Sequence, residues 1–277
     1  MRASLAPLWR DRGARLGVVL LAALAVTALV GPFLFQDPRA MPDITGGVLQ
    51  APSRAHLLGT DHLSRDVLAR VVGGARISLA VALGAVLISV SVGASVGLAA
   101  GYAGGVVDTV LMRFVDAALA VPRLFLLLLM VAMMEHIPLA ALIVTLGATG
   151  WFGTSRLVRA EVLRLKTLDF VLAAEALGAS RRRVIFRHLL PNIAGPLAAA
   201  TTLAVGDVIL LEAGLSFLGL GVQPPTPSWG SMILDSKPYL TQAPWTSLPP
   251  GLAILVTVLA VNLIGEAMAQ ASPGARP

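Results

Sequence analysis

Residues 156–192 read RLVRAEVLRLKTLDFVLAAEALGASRRRVIFRHLLPN. This is the one long polar segment between two apolar runs that carries a dense positive charge. It holds eight Lys or Arg (Arg156, Arg159, Arg164, Lys166, Arg181, Arg182, Arg183, Arg187) against three acids (Glu161, Asp169, Glu175), which leaves +5 of the chain's formal +6. In a membrane protein a loop so rich in Lys and Arg lies on the cytoplasmic side. Within it, 168–177 is rich in Ala and Leu and predicts a short helix. Gly178 then permits a sharp backbone change, as a C-cap glycine does. Ser180 is placed to cap a second helix over 181–190, which Pro191-Asn192 is expected to end. Helix, glycine, helix and Pro-Asn make a compact knob. The plainer alternative is a basic loop that fixes topology or touches anionic membrane lipid.

Composition sets the class around this stretch. Of 277 residues 56% are hydrophobic and 13% charged, with mean hydropathy +0.82. A soluble domain is nearer to about 25% charged. The chain therefore reads as an all-α polytopic membrane protein. It has no cysteine, hence no disulfide framework and no thiol chemistry. Its basic residues sit in loops between apolar runs, which is not a nucleic-acid footprint.

Taken in order, residues 1–15 are basic, with Arg2, Arg10, Arg12 and Arg15 against Asp11. Residues 16–35 are apolar and about long enough to span a bilayer. A signal peptide is the rival reading, but its apolar region would be shorter and followed by a small-residue cleavage site. Residues 36–75 form an outer loop with four Arg. There Asp61, Arg65 and Asp66 are close enough to pair in a solvated turn, which would be worth little. His56 and His62 lack a complete metal-ligand set.

The second span is 76–100. Ala85, Ser89, Gly93, Gly97 and Gly101 recur every four residues and share one helix face. Such a row lets two helices approach closely in a membrane. Residues 101–105, GYAGG, predict a tight turn. In the third span, Arg113 and Asp116 share a face at the cytoplasmic interface, and Pro122 is expected to kink the helix. Arg123 lies deeper and must either face protein or water or snorkel to the interface.

Residues 139–154 are the fourth span and 193–211 the fifth. Asp207 and Glu212, near its outer end, either line a pathway or cap the outer interface. Residues 213–247 predict a structured outer loop, whose Trp residues suit an interface belt. The GLG within it is no nucleotide fingerprint, since no strand precedes it. Residues 248–268 are the sixth span.

Several of these stretches, in this order, resemble one family. Ala173-Ala174, Gly178 and Leu190-Pro191 fall on the spacing of the EAA loop of ABC importer permeases. Leu172 stands where many members have Glu, and His188 where many have Ile. His followed by Leu-Pro-Asn is similar to the dipeptide, oligopeptide and nickel branch. HLLGTDHLSRDVLARVVGGARISL (56–79), the pattern Asp108, Met112-Arg113, Asp116, Ala120-Val121-Pro122, and LSFLGLGVQPPTPSWG (215–230) resemble its C-type permeases. Those usually have Gly where Ser64 stands here. Asn262, Gly265 and Glu266 match the family's end region, and its usual basic Asp-Pro tail is absent.

The resemblance implies six transmembrane helices in the type I importer permease fold, with both termini cytoplasmic, in a bacterial inner membrane. It divides the chain into 1–72 with the first span and outer loop, a permease domain at 73–270, and a tail at 271–277. It also implies that Ala173, Ala174, Gly178, Ala179, Arg181, His188 and Pro191 contact an ATPase. The implied partners are a B-type permease, two ABC ATPase subunits and an extracytoplasmic substrate-binding protein. The sequence has no P-loop, so no cofactor is expected on this chain, ATP is used by the partners, and the chain is not itself an enzyme. An ion-gradient-driven secondary transporter is the alternative; it would predict paired broken helices in two repeated halves and carboxylates at the midplane.

Overall fold

A computed structural model describes residues 11–41, 46–134 and 137–271. The readings placed on Arg2, Arg10 and residues 272–277 fall outside them. The described chain is helical. Its helices are α1 (Arg12–Leu34), α2 (Val67–Ala103), α3 (Gly105–Leu119), α4 (Arg123–Ala132), α5 (Leu139–Lys166), α6 (Asp169–Ala176), α7 (Arg181–Phe217), α8 (Trp229–Ser236) and α9 (Leu248–Ala271).

Four segments are long and apolar enough to cross a membrane: Arg12–Gly31, Val67–Ala103, Arg181–Phe217 and Pro244–Ala271. A fifth is reached if α3 and α4, bent by 81° at their break, count as one. The expected six are therefore not all found. The missing one is the fourth span, inside α5, where Gly147, Thr149, Gly150, Gly153, Thr154 and Ser155 interrupt the apolar run. A helix that faces protein rather than lipid has no need of an apolar surface all round.

α2 is the central element. It begins nine residues earlier than expected because Asp66 caps it, accepting from the Ala69 N–H at 2.8 Å. At 37 residues it is about 55 Å long, well beyond the ~30 Å hydrocarbon core. It also runs on through Tyr102 and Ala103, so the expected five-residue turn shrinks to Gly104-Gly105.

Its main partner is α5. Gly93 lies against Trp151 and Thr154, Gly97 against Ser155 and Val158, and Gly101 against Arg159 and Val162. Residue numbers rise together along both helices, so the two run parallel. The intervening α3–α4 pair must then carry the chain from the end of α2 back to the start of α5. The break at Pro122 is sharper than a kink, because proline disfavours helical backbone at Val121 and lacks the N–H to bridge it.

α7 and α9 pack antiparallel, with Gly206 against Val261 and Gly265 against Leu203. α1 lies along α9, with Gly17 against the Ala260 carbonyl. The larger apolar core includes Val81, Ala85, Leu127, Leu142, Leu146, Ile209, Leu215 and Trp229. A second core, built on Val158, Val162, Leu165, Val171, Val184, Leu189 and Ile193, sits under the basic stretch.

Candidate functional site

The stretch 156–192 folds as a knob at the far end of α2 and α5. α6 ends in a Schellman motif: the Ala179 N–H donates to the Ala174 carbonyl at 3.0 Å and the Gly178 N–H to that of Glu175 at 2.9 Å. Gly178 has φ +79°, the left-handed backbone that this motif requires. Ser180 caps the next helix, accepting from the Arg183 N–H at 3.4 Å.

That helix does not end at Pro191. Residues Val184–Leu189 form a π-helical segment, in which the Leu190 N–H donates to the Ile185 carbonyl, and α7 continues to Phe217. The extra residue per turn lets the helix pass a proline that has no N–H to give. The Asn192 side-chain amide donates to the His188 carbonyl at 2.6 Å.

The knob presents a mixed surface. Ala173, Gly178, Arg181 and Pro191 are exposed, Ala174, Ala179 and His188 half-buried. The His188 ring lies 6.2 Å from that of Phe170 and joins the two arms. Leu177, between Ala173 and Gly178 on this surface, is 88% exposed, and Phe186 is 62% exposed. Sequence reading passed over Leu177, whose place just before the glycine was the available signal. The knob is anchored rather than dangling. Lys166 Nζ donates to the Tyr102 carbonyl at 3.0 Å, and the Tyr102 hydroxyl to Glu175 at 3.5 Å.

The small residues Ser89, Gly93, Gly97 and Gly101 are buried in the α2–α5 seam. A methyl at Gly97 would lie 2.5 Å from the Ser155 carbonyl oxygen, and one at Gly93 2.8 Å from that of Trp151. The neighbouring α3 is tied to α5 by ion pairs, Asp108 with Arg159 and Asp116 with Arg156. Asp116 therefore takes Arg156 rather than Arg113 on its own helix. Both members of that pair are half-exposed, so its contribution is small.

The deeper polar residues separate into two kinds. Glu212 is fully buried within the chain. It accepts from Ser216 Oγ at 2.7 Å and from Ser78 Oγ at 3.1 Å, tying α7 to α2. Asp207 is exposed on α7. Arg123, at the start of α4, donates through Nε to Thr149 Oγ1 at 3.3 Å and through Nη2 to the Leu146 carbonyl at 2.8 Å. It borders a cavity of about 280 Å³ between the α3–α4 break and α5.

The segment around Asp61 and Arg65 is more ordered than a solvated turn. Asp61 and Arg65 are buried, not exposed. Asp61 accepts from Arg65 Nε at 2.7 Å and Arg70 Nη1 at 2.5 Å, and Asp235 on α8 faces the same two guanidiniums at 3.2 and 3.0 Å. Nothing local in the sequence signals a partner 165 residues away. His56 pairs with Asp66 at 2.9 Å while His62 stacks on Tyr239, so the two histidines do not converge. Among the described residues, no group of three or more His, Cys, Asp or Glu is placed to hold a metal ion. Trp229 is fully buried, not at an interface, its Nε1 donating to the Val71 carbonyl at 3.0 Å, and half-buried Trp245 donates to that of Thr60 at 3.3 Å. The GLG run serves to stop α7, where the Leu220 N–H donates to the Leu215 carbonyl at 2.8 Å and Gly219 has φ +79°.

Burial pushes the Asp61 carboxyl up, but Arg70, Arg65 and two backbone N–H donors outweigh it and hold it below the ordinary value. Its stabilisation is in place above about pH 3.9 and is lost as pH falls through the lowered value. Asp61→Asn should leave two guanidiniums sharing Asp235, at a cost of about 3–5 kcal/mol. Thermal unfolding across the acid range checks both points. The variant should unfold earlier at neutral pH and lack the acid-dependent part seen in the parent.

Residues 93–272 match the family model described as binding-protein-dependent transport system inner membrane component. The chain is 37% identical to a dipeptide transport system permease protein of Alkalihalophilus pseudofirmus, over 95% of this chain and 86% of that protein. It is 39% identical to a putative peptide permease protein of Brucella suis, over 95% and 87%. It is 34% identical to an oligopeptide transport system permease protein of Bacillus subtilis, over 95% and 88%. These relatives are transport permeases, and the apolar helices agree with a multi-pass inner-membrane protein. The chain belongs to the family of binding-protein-dependent transport system inner membrane components.

Proposed function

We propose that this chain is one of two permease subunits of an ATP-driven importer of di- or oligopeptides. The observation that carries the reading is the knob: an anchored protrusion with small and apolar residues at its tip and cations beside it. An exposed leucine such as Leu177 gains nothing in water and suits a groove on another protein. On this reading the knob docks into an ATPase subunit and transmits the ATPase's movement to α5 and α7. The Lys/Arg bias puts the knob and both termini in the cytoplasm. α5 then crosses the membrane with the other spans, sheltered by α2 and by a second, B-type permease. A substrate-binding protein docks on the outer lobe built from residues 46–66 and α8. The relatives' names favour peptides over nickel as cargo.

The test is uptake by the reconstituted complex of both permeases and both ATPases, with the binding protein outside. Peptide uptake should require internal ATP and persist when ionophores collapse all gradients. Uptake driven by an ion gradient without ATP would favour a secondary transporter instead. Orientation is checked in intact cells with single thiols, since the chain has no cysteine. Thr241→Cys should react from outside, and Ser180→Cys only after permeabilisation.

A further inference from the structure

Arg123 is the one charged side chain at the cavity between the α3–α4 break and α5. Its depth follows from its partners. Thr149 lies ten residues into α5, about 15 Å from that helix's outer end and so near the middle of a ~30 Å hydrocarbon core. A cation there is expensive unless it is paired or faces a polar space.

Arg123 is not paired. Its two acceptors, a carbonyl and a hydroxyl, carry no charge, and among the described residues no ion pair includes it. Guanidinium has five N–H donors in a rigid fork. Two are used, and no hydrogen bond within the described chain takes the other three. Apart from Arg123 and Thr149 the lining is apolar, with Leu119, Val121, Leu126 and Phe152 among it, and Gly153 leaves its floor open. A fork of donors in an apolar cavity fits one planar anion. Asp207 sits at a similar depth on α7, ten residues from its outer end, and its charge acts on Arg123 without forming a contact pair.

We infer that Arg123 is a binding group of the translocation path and takes the terminal carboxylate of a peptide in passage. This rests on the reading of the chain as a peptide permease. The Arg fork matches a carboxylate bidentately, which a lysine would not. The Asp207 carboxylate nearby matches the opposite charge at a peptide's amino end.

The experiment uses the assembled importer in nanodiscs of zwitterionic lipid, with Gly153→Cys as its single thiol. A side chain at position 153 meets no atom within 4 Å. A mixture of alanine di- to tetrapeptides is added as free acids or as C-terminal amides, and the rate of thiol labelling is read. The free acids should slow labelling on the order of tenfold more than the amides, the ratio expected for one charge-assisted pair. Arg123→Gln should abolish the difference. Should that variant not fold, the acid-against-amide comparison in the Arg123 protein decides alone. Equal protection by acids and amides would overturn the inference, as would protection that appears only with anionic lipid, which would mark a lipid-phosphate site. Uptake of the same mixture into proteoliposomes is measured in parallel. No uptake at all sinks the peptide reading and this inference together, whereas uptake with equal protection sinks this inference alone.

Discussion

Gly97→Leu is expected to leave no folded chain in detergent extracts. Gly97 sits in the parallel α2–α5 seam, where even a methyl would lie 2.5 Å from the Ser155 carbonyl oxygen and 2.7 Å from Val158 Cβ. Both obstacles are at or next to backbone, so no side-chain rotation relieves them. Gly97→Ala alone should cost about 1–3 kcal/mol, the usual range for overpacking, and leucine should exceed it by forcing the helices apart. The same seam carries Gly93 and Gly101, so the damage would spread along it. Gly214→Ala is the matched control. It also lies inside a helix, α7, but a methyl there meets nothing within 4 Å. It should be neutral or stabilising by about 0.5–1 kcal/mol, since alanine is the better helix former. Size-exclusion profiles and thermal unfolding of the solubilised protein distinguish the two. A monodisperse Gly97→Leu protein of parental stability would mean that the seam is not tightly packed.

The second large effect is expected at the knob. Burying a leucine side chain is worth about 1.5–3 kcal/mol. Leu177 is 88% exposed, so the folded chain alone realises almost none of this. If an ATPase groove covers it, Leu177→Gln should weaken docking about tenfold to a hundredfold while leaving the chain's stability unchanged. Ala173→Trp adds bulk on the same exposed surface, with no demand on the backbone. Gly178→Ala separates a different cause: its methyl meets no atom, but φ +79° strains the backbone by about 1–2 kcal/mol. Peptide uptake in cells should fall sharply for the first two variants at normal membrane levels of the protein. Loss of the protein itself, rather than of uptake, would assign these residues to folding.

What could be read from the sequence, and what could not, follows the range of the interactions. The helix–glycine–helix pattern of the knob was legible because its capping bonds span a few residues, as from Ala179 to Ala174. The spacing of Gly93, Gly97 and Gly101 was legible because a four-residue repeat falls on one helix face. The seam's partner was not, since nothing local points from Gly97 to Ser155. Pro191 misled because proline usually ends a helix, whereas a π-helical segment lets this one continue. Arg65 and Asp61 read as a solvated turn because their burial depends on Arg70 and on Asp235, far along the chain. Trp229 read as an interface residue because hydropathy does not distinguish a lipid boundary from a core. α5 is less apolar than a lipid-facing span for the converse reason: its small and polar residues suit protein neighbours, not lipid.

Co-purification of the ATPase subunits tests the central claim most directly. The permease pair would be isolated through a tag on this chain, with Leu177 or with Leu177→Gln, and the ATPases measured in each eluate. The account predicts that both preparations retain the B-type permease and that only the parent retains its full complement of ATPase. Equal ATPase recovery, with uptake unimpaired, would show that the knob is a topological anchor and not the coupling contact.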